Sequence, residues 1–180
     1  MASLGHVAVG MAAARFYTGA RPARWTLLSS MVVWSGLSLL PDADVLGFRH
    51  GIAYSDPWGH RGATHSLFFS GLLGAAIGIA AALFRLPALK TGALAALVLA
   101  SHAILDTFTD GGLGCALLWP FSDERFFAPW RPLPVAPIGR AFLSAAGLQV
   151  AAVELVFFAP LLLYACWPRR PVSGQPKDVA

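Results

Sequence analysis

Three short stretches of this sequence combine imidazoles and carboxylates at spacings that suit a divalent cation. LLPDAD (39–44) carries Asp42 and Asp44 on either side of one alanine. HRGATHS (60–66) carries His60 and His65, and SHAILDTFTDGG (101–112) carries His102, Asp106 and Asp110. His6 adds an imidazole near the start. On a helix, His102 and Asp106 stand at i,i+4, on one face about a turn apart, where both can reach one ion. Asp42 and Asp44 fall in a turn where two carboxylates can point to one place. The glycine of HRGATHS permits a turn, and Thr64 or Ser66 can cap a following helix.

This mixed set suits zinc, manganese or iron better than magnesium or calcium, which prefer oxygen shells. His6, Asp42, Asp44, His60, His65, His102 and Asp106 exceed what one tetrahedral zinc uses, so one or two divalent metals per chain are predicted. Two-metal sites drive phosphoester or amide hydrolysis by clamping the attacking and leaving oxygens. Each motif alone has a plainer reading. PDAD reads as a helix stop, a lone interfacial histidine as a hydrogen-bonded side chain, and HxxxD as a simple pair. Their convergence in a chain poor in charge is what points to a site.

Arg61, between the ligand candidates, is expected to hold an anionic group of a substrate. His60 is expected to move protons. Asp110 is the third catalytic candidate, an outer partner of the ligands; before Gly111-Gly112 it also reads as a turn residue. Glu154 lies in an apolar run, where a charge is costly, and reads as a structural hydrogen bond or part of a proton path. Cys115 and Cys166 cannot build a disulfide framework, and Cys115 reads as inert.

The elements that must position these residues are written in hydropathy. The 180 residues are 57% hydrophobic and only 12% charged, half the roughly 25% of a soluble domain. Mean hydropathy is +0.64. An ordinary soluble fold and disorder are both excluded as first readings. Five apolar segments stand out, at residues 4–17, 25–40, 63–86, 88–108 and 139–167. The last three reach the length of a span, about 20 residues, and the first two are short. Period-2 alternation is absent, and backbone in hydrocarbon must satisfy itself, so the segments are expected to be helices. The reading is an all-α polytopic membrane bundle of four to five helices, one domain over residues 1–168, and a polar, disordered tail over 169–180. The N-terminus has no basic residue before its apolar run and does not read as a cleaved signal peptide.

Alternating the segments across a bilayer gathers all five histidines and most of the acids on one side, with Arg49, Arg61, Arg125, Arg131 and Arg140. The other side takes Arg15, Arg21, Arg24, Arg85, Lys90, Arg169, Arg170 and Lys177. By the positive-inside rule, that excess puts the second side in the cytoplasm and the histidines outside it.

Taken together, LLPDAD, HRGATHS and SHAILDTFTDGG, followed by PFSDERFFAPWRPLPV (120–135), resemble the YdjM-like family of membrane-bound, predicted metal-dependent hydrolases. The resemblance covers roughly residues 5–140. It implies an inner-membrane protein with a metal site built by Asp42, Asp44, His60, His65, His102 and Asp106, joined by His6. It does not name a substrate, and the fifth segment and the tail lie outside it.

The function expected is a metal-dependent hydrolase acting at the membrane surface on a lipid or lipid-linked ester, preferably a phosphoester. The alternative is a metal-ion or proton transporter built on the same cluster, and a third reading is a scaffold with a structural metal. Membrane lipid is the expected partner. No motif calls for nucleic acid, despite the basic charge.

Overall fold

A computed structural model describes residues 3–19, 23–137 and 139–168 of the chain. The expected disordered tail, 169–180, lies outside them. Among the described residues, six α-helices form: α1 (Ser3–Thr18), α2 (Arg24–Leu39), α3 (Leu67–Leu83), α4 (Ala88–Thr107), α5 (Ala145–Phe157) and α6 (Ala159–Cys166). Short 3-10 segments run over Leu40–His50, Ala63–His65 and Gly139–Leu143. Among the described residues there is no strand, only isolated bridges pairing Thr109 with Leu133 and Cys115 with Phe126. The all-α expectation holds.

The span count is lower than the four to five expected. Among the described residues, two helical stretches are long and apolar enough to cross a membrane: residues Arg24–His50, in which α2 continues as 3-10 helix, and α4. A third arises if α5 and α6 form one span broken by a 66° bend. Helices α1 and α3, with 16 and 17 residues, are shorter. The segment expected at 63–86 loses its first turn because Ser66 is extended and caps α3, its hydroxyl accepting from Phe69 N–H at 3.0 Å. The fifth segment breaks because Pro160, in the first turn of α6, offers no N–H and clashes with the preceding turn.

Two close hairpins make the frame, α1 against α2 and α3 against α4. Small residues permit the second. A Cβ on Gly74 would lie 2.6 Å from Ala96 Cβ and 2.8 Å from Ala96 Cα, so only glycine allows this approach. Ala13, Ala14, Met31, Trp34, Ala95, Val98 and Ala165 bring α1, α2, α4 and α6 together in one apolar core. Along α4 the buried positions Thr91, Ala95, Val98, Leu99, His102 and Asp106 recur every three or four residues. The stripe that packs the helix therefore also delivers two site residues.

Glu154 closes the bundle. Its Oε2 accepts the N–H groups of Leu4 at 2.6 Å and Gly5 at 3.2 Å. The first turn of α1 has no acid of its own, and its N–H groups have no intrahelical acceptors. An acid from α5 supplies that acceptor and complements the helix dipole, which is the structural hydrogen bond of the two expected readings.

Two substitutions test this frame. Gly74→Leu is expected to lower stability by about 1–3 kcal/mol in thermal unfolding in detergent. Gly71→Ala, with open space at its Cβ, is expected to be neutral. Glu154→Ala is expected to cost about 0.5–2 kcal/mol, the range for a lost helix cap, with metal content unchanged; loss of metal instead would show that Glu154 belongs to the site.

Candidate metal centre

Four elements converge on one buried cluster. Helix α4 contributes His102 and Asp106, and α1 contributes His6, all fully buried. The 3-10 stretch after α2 carries Asp42 and Asp44. The loop before α3 carries His60, Arg61 and His65, also buried. A 3-10 helix turns three residues per turn, so positions two apart diverge by roughly a third of a turn. Asp42 and Asp44 therefore point to two places, not to the one place expected. Asp42 joins His65, His102 and Asp106, and Asp44 joins His60 and His65. His65 is common to both groups.

In the first group the donor atoms crowd one point. His65 Nε2 and His102 Nε2 are 3.1 Å apart. Asp42 Oδ1 lies 3.4 Å from His102 Nε2 and 3.6 Å from His65 Nε2, and Asp106 Oδ2 lies 3.7 Å from His65 Nε2. Both oxygens of Asp42 are buried without a hydrogen-bond partner among the described residues. Buried carboxylate oxygens and imidazole nitrogens left in this state are costly unless a cation satisfies them. Two histidines and two aspartates make a ligand set suited to zinc, with manganese and iron next.

The outward sides of both rings fix their inward sides. His102 Nδ1 lies 2.6 Å from the carbonyl oxygen of Ser38. A carbonyl only accepts, so Nδ1 carries the hydrogen and Nε2 the lone pair. Thr64 Oγ1 donates to Asp44 Oδ2 at 2.7 Å. The same hydroxyl oxygen is 3.0 Å from His65 Nδ1, and Asp44 Oδ2 is 3.2 Å from it. His65 Nδ1 thus faces only acceptors, and its Nε2 also faces the group. Carboxylate or carbonyl partners behind ligating histidines are the usual means of orienting them. Without metal, burial opposes the His65 cation, but Asp42 and Asp44 beside it carry the imidazole up to about 9.

Asp44 also meets His60 Nδ1 at 2.7 Å and accepts the Arg61 N–H at 3.2 Å. It therefore orients two imidazoles and the backbone between them. His60, held by Nδ1, has its ring on a cavity of about 340 Å³ shared with Tyr54, Arg61, Gly112 and Val135. Gly112 sits at φ +85°, and a Cβ there would lie 2.7 Å from the Tyr54 hydroxyl; any side chain would fill the cavity. Arg61, itself at φ 65°, is wholly buried. Its Nε pairs with Asp106 Oδ2 at 3.0 Å and its Nη1 donates to Gly111 O at 2.9 Å. Its Nη2 has no hydrogen-bond partner among the described residues. Burial opposes the guanidinium charge, but Asp106 and the other neighbouring acidic groups together outweigh it, so the group stays charged.

Two expected residues stand apart. His6 is not in either ligand group. Its Nε2 approaches Asp106 Oδ1 at 3.3 Å and its ring stacks on His102 with centroids 3.7 Å apart, so it braces two candidate ligands from behind. Asp110 is exposed and outside the cluster. It accepts Val135 N–H at 2.8 Å and donates its own N–H to Leu133 O at 2.9 Å. Helix α4 ends at Thr107, so the i+4 relation to Asp106 no longer sets a common face. Cys115 is buried, and burial pushes its thiol up to about 12, which makes it inert.

Sequence reasoning missed several contributors. Arg125 donates to the carbonyl oxygens of His60 (3.0 Å), Tyr54 (3.1 Å) and Asp56 (3.1 Å), clamping the loop that carries the ligands. Its place inside PFSDERFFAPWRPLPV was the only signal. Thr64 lies within HRGATHS, where its residue type reads only as a cap. Ser38 acts through its backbone and left no trace in residue type.

Elemental analysis of protein purified without chelator is expected to give about one zinc, manganese or iron per chain. His102→Ala and Asp42→Ala are expected to lose it, and Asp110→Ala and His50→Ala to keep it. Metal-free wild type would remove the ligand assignment.

Residues 1–172 match the family described as YdjM inner membrane protein. The match runs through α5 and α6, beyond the reach of the motifs. Over 139 residues the chain is 42% identical to the inner membrane protein YbcI of Escherichia coli (strain K12), covering 74% of this chain and 80% of that one. No solved structure matches. With its apolar helices and a buried His/Asp cluster that could hold a metal, the chain is a membrane protein of the YdjM inner membrane protein family.

Proposed function

We propose that this protein is a membrane-bound, metal-dependent hydrolase acting on a lipid or lipid-linked ester, preferably a phosphoester. The observation that carries the reading is the adjacency of two things: a four-ligand group with oriented Nε2 atoms, and a cavity bearing His60 and the unsatisfied Nη2 of Arg61. Asp42, His65, His102 and Asp106 would hold the metal. When bound, a divalent metal supplies Lewis acidity and activates water at neutral pH.

The chain's own residues supply the rest. Asp44 holds the Nδ1 hydrogen of His60, so His60 Nε2 is the basic nitrogen and takes or returns a proton at the cavity. Arg61 is held by Asp106 and Gly111 with Nη2 left over, a donor for an anionic oxygen of the substrate. Burial of both raises the strength of these contacts by excluding water. An apolar cleft of about 590 Å³ between α2 and α3, lined by Val33, Trp34, Leu37, Leu40 and Ile77, supports a lipid substrate. Its end at Leu40 directly precedes Pro41-Asp42. An extracytoplasmic site is part of this proposal, supported by the excess of basic residues on the side away from the histidines in the sequence.

The transporter alternative asks for an ion path through the bundle. Glu154, the acid in an apolar run that such a path would use, is engaged in capping α1, which favours the hydrolase reading.

The test is turnover of ester and phosphoester lipids by metal-loaded protein in nanodiscs. His60→Gln is expected to keep the metal and lower kcat by about 10²–10⁴-fold. Absence of turnover together with metal uptake into proteoliposomes would replace this reading with the transporter.

A further inference from the structure

Helices α2 and α3 both pack on α4 but not on each other, and the cleft of about 590 Å³ lies in the gap. One row of α2 residues lines it from end to end: Ser29, Val33, Gly36 and Leu40. Their spacing puts them in a single stripe on one helix face. Buried Trp34 and half-buried Leu37 run beside the stripe, with Ile77 of α3 opposite. No charged side chain lines the cleft.

Its two ends differ. At one, Leu40 precedes Pro41-Asp42, and Asp42 belongs to the four-residue group. At the other stand Tyr17, Leu86 and Thr91. The Thr91 hydroxyl donates to Pro87 O at 2.8 Å, so Tyr17 donates its own to Thr91 Oγ1 at 2.9 Å. These hydroxyl hydrogens are spent within the wall and not offered to the cleft. The Tyr17 ring leans on Trp34, centroids 5.3 Å apart, and Lys90 Nζ donates to the Tyr17 carbonyl at 2.9 Å, which fixes the wall.

Gly36 stands in the middle of the stripe. Glycine is a poor helix former, second only to proline, and a close approach usually explains it. That holds for Gly10, where a Cβ would lie 2.4 Å from Ser35 Cα, but a Cβ on Gly36 meets nothing within 4 Å. What Gly36 provides is room in the cleft.

From Ser29 to Leu40 the helix rises about 16 Å. A packed helix of that length needs roughly 1,200 Å³, twice the cleft, so the occupant is thinner. We propose that the cleft seats one acyl chain of the substrate, its head toward Asp42 and its terminal methyl toward Tyr17. An extended hydrocarbon advances about 1.2 Å per bond, so a chain of about 14 carbons fits the length. The bilayer is as apolar as the cleft, so selection comes from close packing. A longer chain meets the Tyr17–Thr91 wall, and a shorter one leaves wall atoms without contacts. This inference rests on the hydrolase reading and names the substrate's chain.

The experiment uses the full chain in nanodiscs with monoacyl phosphatidylglycerols bearing a diazirine at the chain terminus, the photolabelled residues being read by mass spectrometry. A chain of the proposed length is expected to label Tyr17, Ser30 and Leu86, and one half as long to label Val33 and Leu37. Gly36→Leu is expected to keep the metal and the unfolding temperature and to cut labelling at Tyr17 and Leu86 about fivefold or more. Val33→Trp, at an exposed position of the same stripe, is expected to do the same. Gly71→Leu, at another open glycine outside the cleft, is expected to change nothing. Labels scattered over exposed Leu97 and Val156, labels whose place ignores chain length, or undiminished labelling in Gly36→Leu and Val33→Trp would overturn the seat. Stripe labelling without turnover of any ester or phosphoester lipid would overturn the hydrolase reading instead, and with it the chain's role as substrate.

Discussion

The ion pair between Arg61 and Asp106 is the constraint around which the site is arranged. Both side chains are fully buried. Removing each charge from water costs several kcal/mol, and only partners in contact offset that. The pair therefore has one workable geometry. Arg61 takes a left-handed backbone to reach it, with its N–H on Asp44 and its carbonyl accepting from Ala116 N–H at 2.9 Å. His60 and His65 flank that strained point, so fixing Arg61 fixes the approach of both imidazoles. Asp106 in turn divides its oxygens, one toward Arg61 and His65, the other toward His6.

From this follows the division of labour among the acids. Asp42 presents unsatisfied oxygens inward, which leaves them open to a cation. Asp44 is saturated by His60, His65, Thr64 and the Arg61 N–H, which is the state of an organiser. The two differ by two positions in the chain and by a third of a turn in space.

The pool of histidines and aspartates that converges in the cluster was legible because residue type and spacing carried it. His102 and Asp106 share a face for the reason helical geometry gives, and Ser66 caps α3 as a serine there should. What was illegible depended on geometry that types do not encode. Pro41 ended α2 as expected, but the chain went on as 3-10 helix and separated Asp42 from Asp44. Asp110 kept its i+4 spacing from Asp106 on paper, but α4 had already ended. The break at Pro160 was hidden in an apolar run, because hydropathy averages over one proline. Arg125 and the Ser38 carbonyl act across long stretches of chain, and nothing local marks them. Glu154 was visible as an anomaly, but its partner, the start of α1, is 150 residues away.

That last separation sets an order of events during synthesis. The first turn of α1 is made before the other helices of the bundle, yet its acceptor on α5 lies 150 residues further along the chain. His6 lies one residue beyond the capped N–H groups, and Asp106, which it braces, is itself 100 residues downstream. Until α5 docks, that corner stays open. The cluster is therefore among the last parts of the protein to reach final form, and a truncated chain would expose ligands without their brace.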